Sequence, residues 1–188
     1  MRIAPAVGAL NHYHSVLPLN KSFMNELTDR AERCGYLKLM SDGLVYPLTD
    51  KLPSPGGNND PSCSIWMASM FAITDMNPCF SGFHITNFCP FTMDVMNPMS
   101  SGDGQEHYFN RIDVQKAIHA PDMPFSLCRN GIFPGMGHDP SSPTSFKLLP
   151  KLIEKTNNTI LGHGWLDYQL LANGTLLTIQ NMTWNGAQ

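Results

Sequence analysis

Asn158-Thr159-Ile160-Leu161-Gly162-His163-Gly164-Trp165-Leu166-Asp167 is the stretch that sets the expected fold. A short apolar run bounded by turn residues reads as a buried strand. Gly162 and Gly164 mark a tight exit from it, and Asp167 stands where that exit ends. Helical patterns lie on both sides. One begins after Pro143, a residue suited to a first helical turn, and runs to Lys155, although Pro150 within it should kink or shorten it. The other spans about 174–182. Helix, strand, acid-bearing turn and helix make an α/β unit, in which functional side chains gather at the carboxyl ends of strands.

Upstream the chain is mostly helical, with long irregular stretches. Residues 22–33 form an amphipathic helix with Phe23, Leu27 and Ala31 on one face, Asn20 or Ser22 as its cap and Gly35 as its stop. A Met-rich helix follows at 65–76. A third helix spans about 110–119, capped by Asn110 and ended by Pro121 and Pro124. Proline and glycine mark 41–62, 77–104 and 131–142 as turns and loops.

Composition narrows the class of protein. Of 188 residues, 42% are hydrophobic and only 14% charged, with 15 Gly and 15 Pro. The charged share is well below the roughly 25% of typical soluble domains. A net charge of -3 without a basic cluster excludes the usual nucleic-acid partner. No apolar run reaches the roughly 18 residues of a membrane span. The five cysteines (Cys34, Cys63, Cys79, Cys89 and Cys128) and the four N-x-S/T sequons at Asn20, Asn157, Asn173 and Asn181 fit an oxidising, glycosylating compartment. The N-terminal run to Leu10 has one cation, is broken by Pro5 and lacks a clear cleavage site, so it does not read as a signal peptide. A secreted composition without a leader, and an odd cysteine, together imply that Met1 is an internal or mis-assigned start.

The run from Leu149-Pro150 through Gly162-His163-Gly164, Leu166-Asp167 and Ala172-Asn173-Gly174-Thr175-Leu176 to Trp184-Asn185-Gly186 closely resembles extracellular fungal members of the serine carboxypeptidase family. The helix Asn110-Arg111-Ile112-Asp113-Val114-Gln115-Lys116-Ala117-Ile118-His119 resembles the family's N-R-x-D-V-Q-K-A-[IL]-H helix. Asn77-Pro78-Cys79-Phe80 with Cys89-Pro90 resembles its disulfide loop, and Leu19 to Met24 with Cys34-Gly35-Tyr36 a helix of its cap insertion. The resemblance implies a truncated α/β-hydrolase core at 136–188, preceded by a mostly helical, disulfide-bearing cap region at 1–135. It also implies the bridge Cys79–Cys89. Cys34–Cys63 is the in-chain pairing that then remains, and Cys128 matches a family cysteine whose partner lies outside this sequence.

By the same resemblance Asp167 is the triad acid, the carboxylate that orients a base histidine and stabilises its imidazolium. On pattern alone an ordinary aspartate in a strand-exit turn, or a helix cap near Asn173, is the commoner reading. In α/β-hydrolases the triad runs serine, acid, histidine, with the serine in a G-x-S-x-G elbow. The sequence contains no such elbow, and no histidine follows His163. The expectation is therefore a piece of a secreted or vacuolar serine-type carboxypeptidase, acting on peptides without a cofactor when whole and inactive alone. The rival readings are a non-catalytic secreted binding module that keeps the cap, or another α/β-hydrolase activity, since fold does not fix function.

Three other groupings carry less. Cys79, His84, Cys89 and His119 lack the close cysteine pairs of a structural zinc site. Asp103, Glu106 and His107 read as a solvated loop, and His12 and His14 as solvated histidines. The 12 methionines read as fillers of an apolar core.

Overall fold

The computed structural model describes residues 3–17, 19–46, 60–89, 108–126 and 144–186, except the side chains of Thr144 and Phe146. Seven α-helices lie in these residues: α1 Ala6–His12, α2 Lys21–Arg33, α3 Tyr36–Gly43, α4 Ile65–Met76, α5 Ile112–Ala117, α6 Thr144–Thr156 and α7 Ala172–Gln180. Single 3-10 turns, Pro61–Cys63 and Tyr108–Asn110, precede α4 and α5. Of the expected loops, 47–59 of the first, 90–104 of the second and the whole of 131–142 fall outside the described residues, as do the Asp103–His107 group and Cys128.

The α/β expectation is not met. No β-strand forms among the described residues, and Ser81 with His84 makes an isolated antiparallel bridge. The stretch read as a buried strand has no regular structure, and Ile160 is 90% exposed. A strand exists only where a neighbour accepts and donates its backbone hydrogen bonds. Asn158 to His163 make no backbone–backbone bond among the described residues, so the apolar run remains solvated.

The core is helical. Leu27 and Ala31 of α2 are fully buried against Ala6, Val7 and Leu10 of α1 and against Ile65 and Ile73 of α4. In α4 the spacing of Ile65, Ser69 and Ile73 puts one residue per turn on a single face, and all three are buried. Asn20 caps α2, its Oδ1 accepting the amide of Phe23 at 2.8 Å. On the helix's outer side Arg30 pairs with Glu26.

At the end of α2 the backbone reverses hand. Gly35 has φ +73° and its N–H donates to the Glu32 carbonyl, a left-handed ending that glycine adopts without steric cost. It does more than stop α2, because α3 begins at the next residue. The disulfide Cys34–Cys63, with Cα atoms 5.9 Å apart, joins this corner to the turn entering α4. Asp60 caps that turn by accepting the Ser62 amide, and hydrogen bonds from the Ser62 side chain first, and this amide second, hold its carboxyl below the usual range.

Two helices differ in detail from expectation. Arg111, not Asn110, occupies the cap position of α5, because Asn110 Oδ1 instead accepts the amide of Phe125 at 2.6 Å. The Gln115 amide closes the same unit by donating to the Phe109 and Met123 carbonyls. Pro150 does not end α6, which continues through it to Thr156.

Candidate functional site: the turn at Asp167

The chain leaves the exposed stretch at Gly164 and turns, the Asp167 amide donating to the Gly164 carbonyl at 3.2 Å. The two neighbours of Asp167 face inward. Leu166 packs against the core, and Tyr168 lies within it at 1% exposure, which leaves the half-buried Asp167 outside them.

Tyr168 is held at both ends. Its carbonyl accepts the indole N–H of Trp66 at 2.7 Å, and its hydroxyl lies 2.6 Å from Ser69 Oγ. Ser69 spends its one hydrogen on the Trp66 carbonyl, so the Tyr168 hydroxyl donates to Ser69. Burial pushes the phenol well above its ordinary pKa. Both α4 residues are buried, so the acid turn is fastened to the helix through a dry, satisfied network.

A second fastening comes from the loop after α4. The Gly82 carbonyl accepts the amides of Tyr168 and Gln169, each at 2.7 Å, and the Ile85 amide donates to the Leu166 carbonyl at 3.2 Å. The approach is close enough that a Cβ at Gly82 would stand 3.1 Å from Gln169 Oε1. The disulfide Cys79–Cys89, with Cα atoms 5.2 Å apart, closes the loop that carries both contacts. A third fastening is the Tyr13 hydroxyl, which donates to the Trp165 carbonyl at 3.0 Å.

Within this frame the Asp167 carboxylate is half engaged. Oδ1 accepts the amides of Gln169 at 2.7 Å and Leu170 at 2.9 Å. Two backbone donors on one oxygen fix the plane of the carboxylate, and Oδ2 has no hydrogen-bond partner among the described residues. Such a group can orient an incoming imidazole N–H through Oδ2 without moving.

His163 is placed differently. Its Nε2 lies 2.6 Å from the Leu170 carbonyl and its Nδ1 2.9 Å from Thr175 Oγ1. A carbonyl only accepts, so Nε2 carries the hydrogen and Nδ1 of the neutral ring accepts from Thr175. The ring thus spans the two ends of the turn and anchors them to α7. It makes no hydrogen bond to Asp167, so the two are not assembled as a catalytic pair.

Tyr168, Trp66, Ser69 and Gly82 are the positioning residues that sequence reasoning missed. The signal available was local, an acid flanked on both sides by large apolar residues. The sequon asparagines are scattered. Asn20 and Asn157 are exposed, whereas Asn173 in the first turn of α7 and Asn181 at its end are half-buried. Among the described residues no three His, Cys, Asp or Glu side chains are placed to hold a metal ion, and no helix is long and apolar enough to cross a membrane.

The serine carboxypeptidase family model matches residues 58–188. The chain is 43% identical to a "Probable serine carboxypeptidase" and 39% identical to a "Carboxypeptidase Y homolog", both of Arthroderma benhamiae, over 98% of its length in each case. It is 36% identical over 97% of its length to "Serine-type carboxypeptidase F" of Aspergillus niger. Those alignments cover 35%, 36% and 37% of the relatives, so the chain spans about a third of the length of the curated proteins it matches. No solved structure matches it significantly.

Proposed function

The chain belongs to the serine carboxypeptidase family, and on that premise we propose that it supplies the acid of a catalytic triad to a protein that removes C-terminal residues from peptides. The observation that carries the reading is the state of Asp167: Oδ1 is fixed by two amides and Oδ2 is open, within the G-H-G-x-L-D run.

In the whole protein Oδ2 accepts the N–H of the base histidine and holds that ring in the tautomer whose other nitrogen faces the serine. The histidine takes the serine proton as Oγ attacks the scissile carbonyl, and returns it to the departing amine. A free C-terminal amino acid leaves, and water then hydrolyses the acyl-enzyme by the same proton path. The 188 residues hold no G-x-S-x-G elbow and no histidine after His163, so the serine and the base fall to the remaining two-thirds of the family's length. Alone the chain is inactive, and the reaction needs no cofactor. Two disulfides and four sequons support a secreted or vacuolar location.

The test is Asp167→Asn in the whole protein. An amide cannot stabilise an imidazolium, so turnover on a blocked dipeptide falls on the order of 10⁴-fold, while the melting temperature barely moves. Near-normal turnover places the acid elsewhere. For the chain alone, covalent labelling of one serine by a fluorophosphonate would contradict the assignment.

A further inference from the structure

A cleft of about 420 Å³, not lined by Asp167, lies where the end of α6 meets the segment after α7. Its volume lies within the roughly 300–1,000 Å³ of small-ligand pockets. Ile153, Leu161 and the half-buried Trp184 give it apolar walls, and Asn157, Asn158 and Asn185 supply uncharged amides. No charged side chain lines it, which disfavours an ionic ligand. An aromatic face beside neutral hydrogen-bonding groups suits a pyranose, whose faces are apolar and whose edges are hydroxyl and amide.

Asn157 adds a second, independent observation. It is the acceptor of the sequon Asn157-Asn158-Thr159, and of the four sequon asparagines it alone lines the cleft. It is exposed, and it sits just past the last turn of α6 with a left-handed backbone, φ 49°, its amide donating to the Ile153 carbonyl. On the cleft's other side Asn185 is also left-handed, φ 52°, and its amide donates to Glu154 of α6 at 2.9 Å. The attachment point and the segment carrying the aromatic wall are thus both tied to the end of α6.

The geometry points to a glycan on Asn157 whose innermost sugar folds back into this cleft against Trp184. In the covalent step the Asn157 amide nitrogen attacks C1 of a lipid-linked oligosaccharide diphosphate. The N–C bond forms, the C1–oxygen bond to the lipid diphosphate breaks with its electron pair leaving on the diphosphate oxygen, and the amide gives up one proton to water. The inference rests on the secretory location proposed above.

The test expresses the chain behind an added secretion leader in a glycosylating yeast, trims it to single N-acetylglucosamine stubs with an endoglycosidase, and maps occupancy by peptide mass. The expected result is occupancy at Asn157 and nuclear Overhauser contacts between that sugar and the Trp184 ring. Asn157→Gln and Thr159→Ala abolish those contacts, and Thr159→Ser keeps them. Occupancy at other sequons with Asn157 empty overturns the inference and leaves the location standing. Four empty sequons on the secreted chain overturn the inference as well. An occupied Asn157 whose sugar makes no contact with Trp184 overturns the cleft's role.

Discussion

Ile160 and Tyr168 lie on one short stretch and both are large, yet Ile160 is 90% exposed and Tyr168 is 1% exposed. The difference is in what meets them. Tyr168 has Trp66 and Ser69 of α4 on one side and the Gly82 carbonyl on the other. Asn158 to His163 have no backbone partner among the described residues. Apolar sequence proposes burial, and only a complementary surface with hydrogen-bond partners achieves it. The candidate site follows the same division, because Asp167 lies on the fastened side.

The contrast is broken most severely by truncation. Tyr168→Ala should cost about 3–5 kcal/mol, the range of large aromatic truncations in cores, whereas Ile160→Ala should change stability by no more than about 0.5 kcal/mol. Urea melts of the two variants decide it, and a large loss at Ile160 would place that residue in a contact the structure lacks. Removing the Cys79–Cys89 bridge by paired serine substitution comes next. Loss of a short-loop disulfide costs about 2–4 kcal/mol. It should also speed hydrogen exchange at Ile85, Tyr168 and Gln169, and unchanged exchange there would show that the loop does not hold the turn.

Smaller effects sharpen the picture. Tyr168→Phe keeps the ring and loses the hydroxyl bond to Ser69, at about 1 kcal/mol near neutral pH. Its pH dependence carries more information. Burial raises the folded-state pKa of Tyr168 above the unfolded value of about 10, so the folded state holds this proton more tightly. That contribution is complete below about pH 10 and is lost as pH rises above it. Alkaline stability curves of the native chain and the Phe variant should therefore converge, and parallel curves would contradict a buried phenol. Gly35→Ala should cost about 1–2 kcal/mol through its left-handed backbone alone, since a Cβ there meets nothing within 4 Å. Thermal melts measure it.

The sequence was legible where local chemistry decides structure. Asn20 as a cap, the Phe23–Leu27–Ala31 face and the bounds of α4 follow from short-range pattern. It was misleading where a partner decides. Thr159-Ile160-Leu161 carries β-type residues, but that preference reflects fit to a half-buried pleated surface rather than an intrinsic tendency, and no such surface forms. Asn110 looked like a cap because cap residues favour helix starts, yet its side chain found Phe125, distant in sequence. Gly35 was legible as the end of α2 but not as the hinge into α3. The acid turn at Asp167 could be read from its motif, while the residues that fasten it, Trp66, Ser69 and Gly82, lie about a hundred positions upstream.

The central claim is that Asp167 rides on a turn locked into the helical core while the stretch before it is not locked. Native-state hydrogen exchange tests this most directly, residue by residue, on the monomeric chain. The amides of Tyr168 and Gln169, both bound to the Gly82 carbonyl, should exchange as slowly as those of Leu27 and Ala31 in α2, and the amides of Ile160 and Leu161 at near-unprotected rates. Slow exchange at Ile160 and Leu161, or fast exchange at Tyr168 and Gln169, would contradict it.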